Sequence, residues 1–549
     1  MFRHLLSRPR KIARPSPASG PRCEALEPRL LLTTGAGDVT AALVGGNLYI
    51  TGDDLGNYIN VKSGGAGNLV TVDGTGTTVN GSSADWTTPT GVTGNIIIRM
   101  NGGNDTLLVQ NFTAPKTLTA DMGEGQNTLT ATNMEWKGLA TLQSGDGLDT
   151  FTLNQITADN NVSILGGGGG STLTLNAGEF ARNLSVTNDS GGQMDIFAAT
   201  DTVIHGNLSV NNGDGGSTFG FSVNTGTAAI DGNVSIVDGE GSDYVNFGGA
   251  ILGRNLSCDL GLGSGDHGLT LRGTTVARSV TYHSLDGMGF VNVADSTVGG
   301  TLRVNSLRSQ EFLGIDTDST VHGKVKMTTY AGTNSLQISG GTVDGNVSVT
   351  SASQGDIDIS DGAWVKGNVA FTSHTGLDQF RASGAKISGN IRVDSGTGGS
   401  QFNADTGALL VRNVKISSTS GNAMVAFNDV SVMGVTNVNL GSGQDTVAIN
   451  DTGFHGLVTI NTGSGYDNLS VEEGGTTSGP TTIFFKGLRA NTGAGDDLVV
   501  LGQNSIAGRA VDFRVASRID GGPDTDTLSA LHLAAGSLTP VVVNFELPI

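Results

Sequence analysis

The chain has 549 residues with 86 glycines, only 11 prolines and 37% apolar residues, so it is too long for one ordinary domain and too apolar for a disordered low-complexity tract. Its net charge of −20 is unevenly placed: residues 1–33 hold Arg3, Arg8, Arg10, Lys11, Arg14, Arg22 and Arg29 against Glu24 and Glu27, which leaves about −25 on the rest. An acidic body argues against a nucleic-acid partner, the absence of an apolar run of about 18 residues excludes a membrane-spanning helix, and the two cysteines, Cys23 and Cys258, leave no disulfide within a body freed of its leader.

In chain order, residues 1–34 come first as a basic, proline-containing leader that ends in "EALEPRLLLT". It lacks the 7 to 15 residue apolar core of an ordinary secretory signal. Leu26, Glu27, Pro28, Arg29, Leu31 and Leu32 match position by position the motif of the LEPR-XLL domain, an N-terminal segment of large exported surface proteins of planctomycete-type bacteria, which this leader resembles. The resemblance covers about the first 34 residues. It implies export to the envelope or outside, with the leader disordered or cleaved, and leaves open what the body binds.

Residues 35–93 read as an N-terminal cap with the first irregular coils. Here the element "GN" followed by alternating apolar residues appears first, as GNLYI at Gly46 and GNLVTV at Gly67. From Gly94 it keeps a phase of 22, through Lys116, Gly138, Asn160 and Arg182, and again through Gly323, Gly345, Gly367 and Gly389. Such an array is read as a repeat before any motif is judged. The unit GNVSVTSASQGDIDISDGAWVK, from Gly345, places Val347 and Val349, then Ile357 and Ile359, then Val365 on inward-facing positions of three short strands, because alternate strand residues share a face. Three strands per 22 residues without helices predict an all-β fold. It is a single right-handed parallel β-helix of about 20 coils, with a regular body over 94–480 and irregular capping coils over 481–549. Cys258 shares the inward face of Leu256 and is expected to be a buried, inert thiol.

Two recurrent polar positions invite functional readings. Asn207, Asn233, Asn255, Asn346, Asn368, Asn390 and Asn413 fall at one corner, where stacked amides bond along the rod and asparagine tolerates left-handed turn geometry. Between copies lies a GxGxD turn, with Asp105, Asp149, Asp243, Asp445, Asp467 and Asp497 at matching positions and Asp496 beside the last; Asn127, Ser171 and Ser217 interrupt the series. The turn is similar to the glycine- and aspartate-rich nonapeptide of RTX calcium-binding β-rolls, and that resemblance implies Ca²⁺ held by these aspartates. Against it, RTX motifs recur every nine residues and these every 22, so the plainer expectation is that each aspartate caps its own turn, with no cofactor.

Chemistry on such a scaffold would need paired carboxylates, or carboxylate-held Ca²⁺ beside a cation, in a cleft. Trp86, Trp136 and Trp364 are far apart, the longer repeat steps insert too little to build a cleft, and His283, Ser284 and Asp286 lie on one turn without an orienting element. His205, His322 and His455 share a corner register with Asp231, Asp344 and Lys366, which reads as a solvated position. The sequence therefore points to an exported, non-enzymatic structural or adhesin-like surface protein meeting an envelope or matrix polysaccharide or another surface protein. A polysaccharide lyase or hydrolase and an RTX-like calcium binder are the alternatives.

Overall fold

A computed structural model describes residues 37–188, 195–224, 227–261, 265–308, 310–474, 481–503 and 509–546, all within one unit, Ala36–Ile549. The leader, with Leu26, Glu27, Pro28, Arg29, Leu31 and Leu32, lies outside the described residues. Those residues form strands, turns and bends without a helix, stacked as a parallel β-solenoid of about 19 coils. With rungs about 4.8 Å apart, the stack is roughly 90 Å long.

One coil shows why the sequence folds so. Val347–Ser351, Gly355–Ser360 and Trp364–Val365 are its three strands. Val347 lies between Val325 and Val369, Ile357 between Leu336 and Phe380, and Val365 between Val343 and Ile387, all in parallel register. Val347, Val349, Ile357, Ile359 and Val365 are each at most 1% exposed, and each contributes roughly 1.5–3 kcal/mol by leaving water. A lone coil has two open ends and cannot bury them, so the stack is what stabilises the unit. Cys258 is fully buried beside Leu256, as its parity predicts. In the C-terminal half the core becomes aromatic: Phe380, Phe402, Phe427, Phe454, Phe484 and Phe513 form a continuous pile with ring centroids 5.0 to 5.4 Å apart.

The first copies of the repeat differ from the expectation. Asn47–Thr51 pairs antiparallel with Asp38–Val44 through a turn at Gly45 and Gly46, both with positive φ, before it pairs parallel with Ile96–Arg99. The GNLVTV copy is no coil at all, for Leu69–Gly74 turns back antiparallel on Tyr58–Gly65. A hairpin gives the first rung a partner where no earlier coil exists. At the other end Val541–Val543 adds to Arg518–Asp520 in parallel.

The corner asparagines also need one correction. They form the expected ladder: Asn207 Oδ1 accepts from the Asn233 N–H at 2.8 Å, and Asn346 and Asn368 do the same for Asn368 and Asn390 at 2.9 and 2.8 Å. Asn255 and Asn413 pass the pattern on to Ser279 and Val435. Yet none of the seven has positive φ. The left-handed residues occupy a different corner, after the long strand, at Asn111, Asn133, Asp201, Asp295, Asp429 and Asp451 among others. The chain there must fold sharply from one strand to the next, and short polar side chains tolerate that backbone best.

Candidate functional site

The turn Gly441 to Gln444 follows the strand Thr436–Asn439 and delivers Asp445 to the position just before Thr446–Asn450. The turn requires glycine: Gly465, its counterpart one coil on, has φ +144°, and a Cβ there would strike the Gly443 carbonyl oxygen of the preceding coil. Parity of two then aligns Asp445 with Val447 and Ile449, so it faces the interior and is 1% exposed.

Each such carboxylate serves a neighbour. Oδ1 of Asp445 accepts the Ala423 N–H at 2.7 Å, and Asp467, Asp497 and Asp526 accept from the N–H of Asp445, Asp467 and Asp497 at 2.9, 2.8 and 3.0 Å. Asp105, Asp149 and Asp243 likewise accept from Asn57, Asn127 and Ser217 at 2.7, 2.8 and 2.9 Å. The expectation that each aspartate caps its own turn is therefore wrong in direction: the acceptor is offered to the preceding coil, because the side chain points in and back along the rod. The column includes residues that looked like interruptions. Asn127 and Ser171 register with Asp105 and Asp149, and Ser217 with Asp243. Asp496 does not belong: it is exposed, and its Oδ1 accepts from the Thr525 N–H at 3.1 Å.

The neutral members show what the position wants. Asn127 Oδ1 accepts from the Asp105 N–H at 3.0 Å, as an aspartate would, while its Nδ2 donates to the carbonyls of Gly123 and Gly125 at 3.0 and 3.2 Å. Asn334 repeats this with the Glu311 N–H and the carbonyls of Ala331 and Gly332. An aspartate at this position has an oxygen where the amide has its donor, and Oδ2 of Asp105, Asp445 and Asp526 has no hydrogen-bond partner. Asp378 also belongs to the column, accepting the Gly355 N–H at 3.0 Å. Burial accordingly pushes the Asp105 carboxyl up to about 7 and those of Asp378, Asp445 and Asp497 up to about 6, and raises Asp149, Asp467 and Asp526. A proton on Oδ2 restores the missing donor and removes the repulsion between stacked carboxylates. At one rung the neighbour is a base instead: His267 Nδ1 lies 3.2 Å from Asp243 Oδ2, both fully buried.

An RTX-type calcium cage fits this arrangement poorly. Calcium takes six to eight oxygens, whereas each ladder carboxylate already gives one oxygen to an N–H and is sealed from water. Among the described residues no three His, Cys, Asp or Glu side chains gather as a metal group.

Other sequence candidates are separated by the fold. His283 faces outward, 3.2 Å from Asp259 Oδ1, while Ser284 on the same strand is buried, its hydroxyl donating to the Asp286 carbonyl. His205 pairs with Asp231 and His322 with Asp344, each at 2.7 Å on the exposed corner; Asp231 first, and then Glu179 at 3.6 Å, raise the His205 pKa. No protein-family model, curated protein or solved structure matches the chain. Fold and ladder together define its class as a repetitive parallel β-solenoid with an internal polar spine. Among the described residues no helix is long and apolar enough to cross a membrane.

Proposed function

We propose that this chain is an exported, non-enzymatic structural or adhesin-like β-solenoid of the cell surface or extracellular matrix, its walls meeting an extended partner such as polysaccharide or another surface protein. The observation that carries the reading is the unbroken register of the stack. From Ile96–Arg99 to Arg518–Asp520 every rung of one wall lies on the next in parallel, and the acidic turns that could have formed a reactive site are buried and each give one carboxylate oxygen to a coil-to-coil hydrogen bond. Export rests on the LEPRLLL segment of the leader.

Fractionation of cells producing the intact chain and a Leu30→Ser, Leu31→Ser, Leu32→Ser variant tests the location. The intact chain is expected in the envelope or medium and the variant inside; equal export of both removes that part of the reading. Incubation with a glycan panel tests the rest, since release of new chain ends would mark a polysaccharide-processing enzyme.

A further inference from the structure

The wall built from the "GN" strands carries one outward position per coil, between its two inward apolar residues. In the coils from Ile97 to Thr281 this position holds no cation, but from there on it reads Arg303, Lys326, Ser348, Ala370, Arg392, Lys415, Asn437, Thr459, Arg489 and Arg518. Cations thus occur in adjacent pairs, and the pairs return every fourth coil. With rungs about 4.8 Å apart, one pair spans one rung and successive pairs start about 19 Å apart. Lys326 is half-buried and the other five cations are exposed. Arg392 and Arg518 are held by Asp394 and Asp520 two residues on, whereas among the described residues Arg303, Lys326, Lys415 and Arg489 form no ion pair. On a body with a large excess of acid, this column concentrates unneutralised positive charge on one face.

The last pair lines a shallow, open recess. Arg489 and Arg518 line a recess of about 420 Å³ with Thr459, Asn461, Asn491 and Asp520. Asp520 fixes the Arg518 guanidinium at 2.7 Å. Asn439, Asn461 and Asn491 form an amide ladder alongside, with Nδ2 to Oδ1 distances of 2.9 and 3.1 Å. Guanidinium groups bind carboxylates in a planar, two-pronged fashion, and amides and hydroxyls suit sugar hydroxyls. Two cations per 19 Å are far too few for a nucleic-acid duplex, which carries about one charge per 1.7 Å. They suit a polyanion of lower charge density than a duplex, one whose carboxylates are each carried on a hydroxyl-rich sugar ring.

We propose that the part of this wall from Arg303 to Arg518 is a docking track for an extended carboxylate-bearing glycan, with the Arg489 and Arg518 recess as its best-formed subsite. The inference rests on the polysaccharide-contact reading above and names the class of glycan. The test is titration of the full chain with polygalacturonate, with its carboxyl-reduced neutral form, with duplex DNA and with anionic lipid vesicles. Polygalacturonate is expected to bind with an affinity that falls as salt rises, and the neutral form to bind at least about tenfold more weakly. An Arg489→Gln, Arg518→Gln variant is expected to lose about tenfold or more, and an Arg392→Gln, Lys415→Gln variant to weaken long chains but not oligomers shorter than the 19 Å period. Circular dichroism identical to the parent shows that the variants fold. No binding of polygalacturonate, binding indifferent to both double variants, or equal binding of DNA or vesicles would overturn the proposal. Failure here with normal export would leave the surface-protein reading standing, and loss of export with glycan binding intact would do the reverse.

Discussion

Replacing Asp445 by asparagine isolates the work of the internal ladder. Its carboxyl rises from the ordinary 3.8 to about 6, chiefly through burial and then opposed by the Ala423 N–H, with the neighbouring Asp467 adding to the rise. A folded-state pKa above the unfolded one means that the folded chain holds the proton more tightly. The stability this proton provides is fully present below about pH 4 and is lost as pH rises through about 6. At about 1.4 kcal/mol per unit, the loss is of order 3 kcal/mol at neutral pH. Asparagine keeps the Oδ1 acceptor for Ala423 and supplies, without a proton, the donor that Asn127 offers its own turn carbonyls. The Asp445→Asn variant should therefore equal or fall slightly below the parent near pH 4 and exceed it by up to about 3 kcal/mol near pH 8. Because a long solenoid opens in pieces, amide hydrogen exchange over residues 423–450, compared at matched pH, is the suitable readout. Equal destabilisation by the variant at both pH values would show that the carboxylate is wanted charged, and would refute the reasoning.

Truncation of Phe454 to alanine removes the link between Phe427 and Phe484, 5.4 Å away on either side. It should cost about 3–5 kcal/mol, read as early proteolysis or exchange confined to the C-terminal coils. Asn368→Ala deprives the Asn390 N–H of its 2.8 Å acceptor and should cost about 1 kcal/mol or somewhat more, measured as faster exchange at that corner. Excess chelator and added Ca²⁺ should both leave the thermal midpoint unchanged, since a ligand of the folded state must raise it. A rise with Ca²⁺ would return the turn aspartates to the RTX-like reading. In the parent chain the midpoint should climb as pH falls from about 8 to about 5, the direction set by the raised carboxyls of Asp105, Asp378 and Asp497.

Much of the architecture is legible from one-dimensional pattern. The 22-residue phase fixes the register of Ile96 on Leu118, Ala140, Val162 and Leu184, and alternation fixes which residues enter the core, because strand geometry is local and repeats in every coil. Alternation also held a clue to the ladder, since Asp445 has the parity of Val447 and Ile449, but a glycine-rich turn seemed to separate it from them. The hairpin in place of a coil at Gly67 could not be read, because the choice between antiparallel return and parallel stacking depends on what lies below, not on the segment itself.

By itself, then, the sequence determined the repeat, the inward face and the corner asparagines, and in the leader it carries the one motif that speaks to location. Only the tertiary structure decided which polar groups meet. Asp445, Asp467 and Asp497, separated by 22 and 30 residues, become an interior column, and Arg489 and Arg518, 29 apart, become a pair at the edge of a recess. The reason is that stacking converts sequence distance into a rung spacing of about 4.8 Å, so the charge that each group feels is set by the coils above and below it.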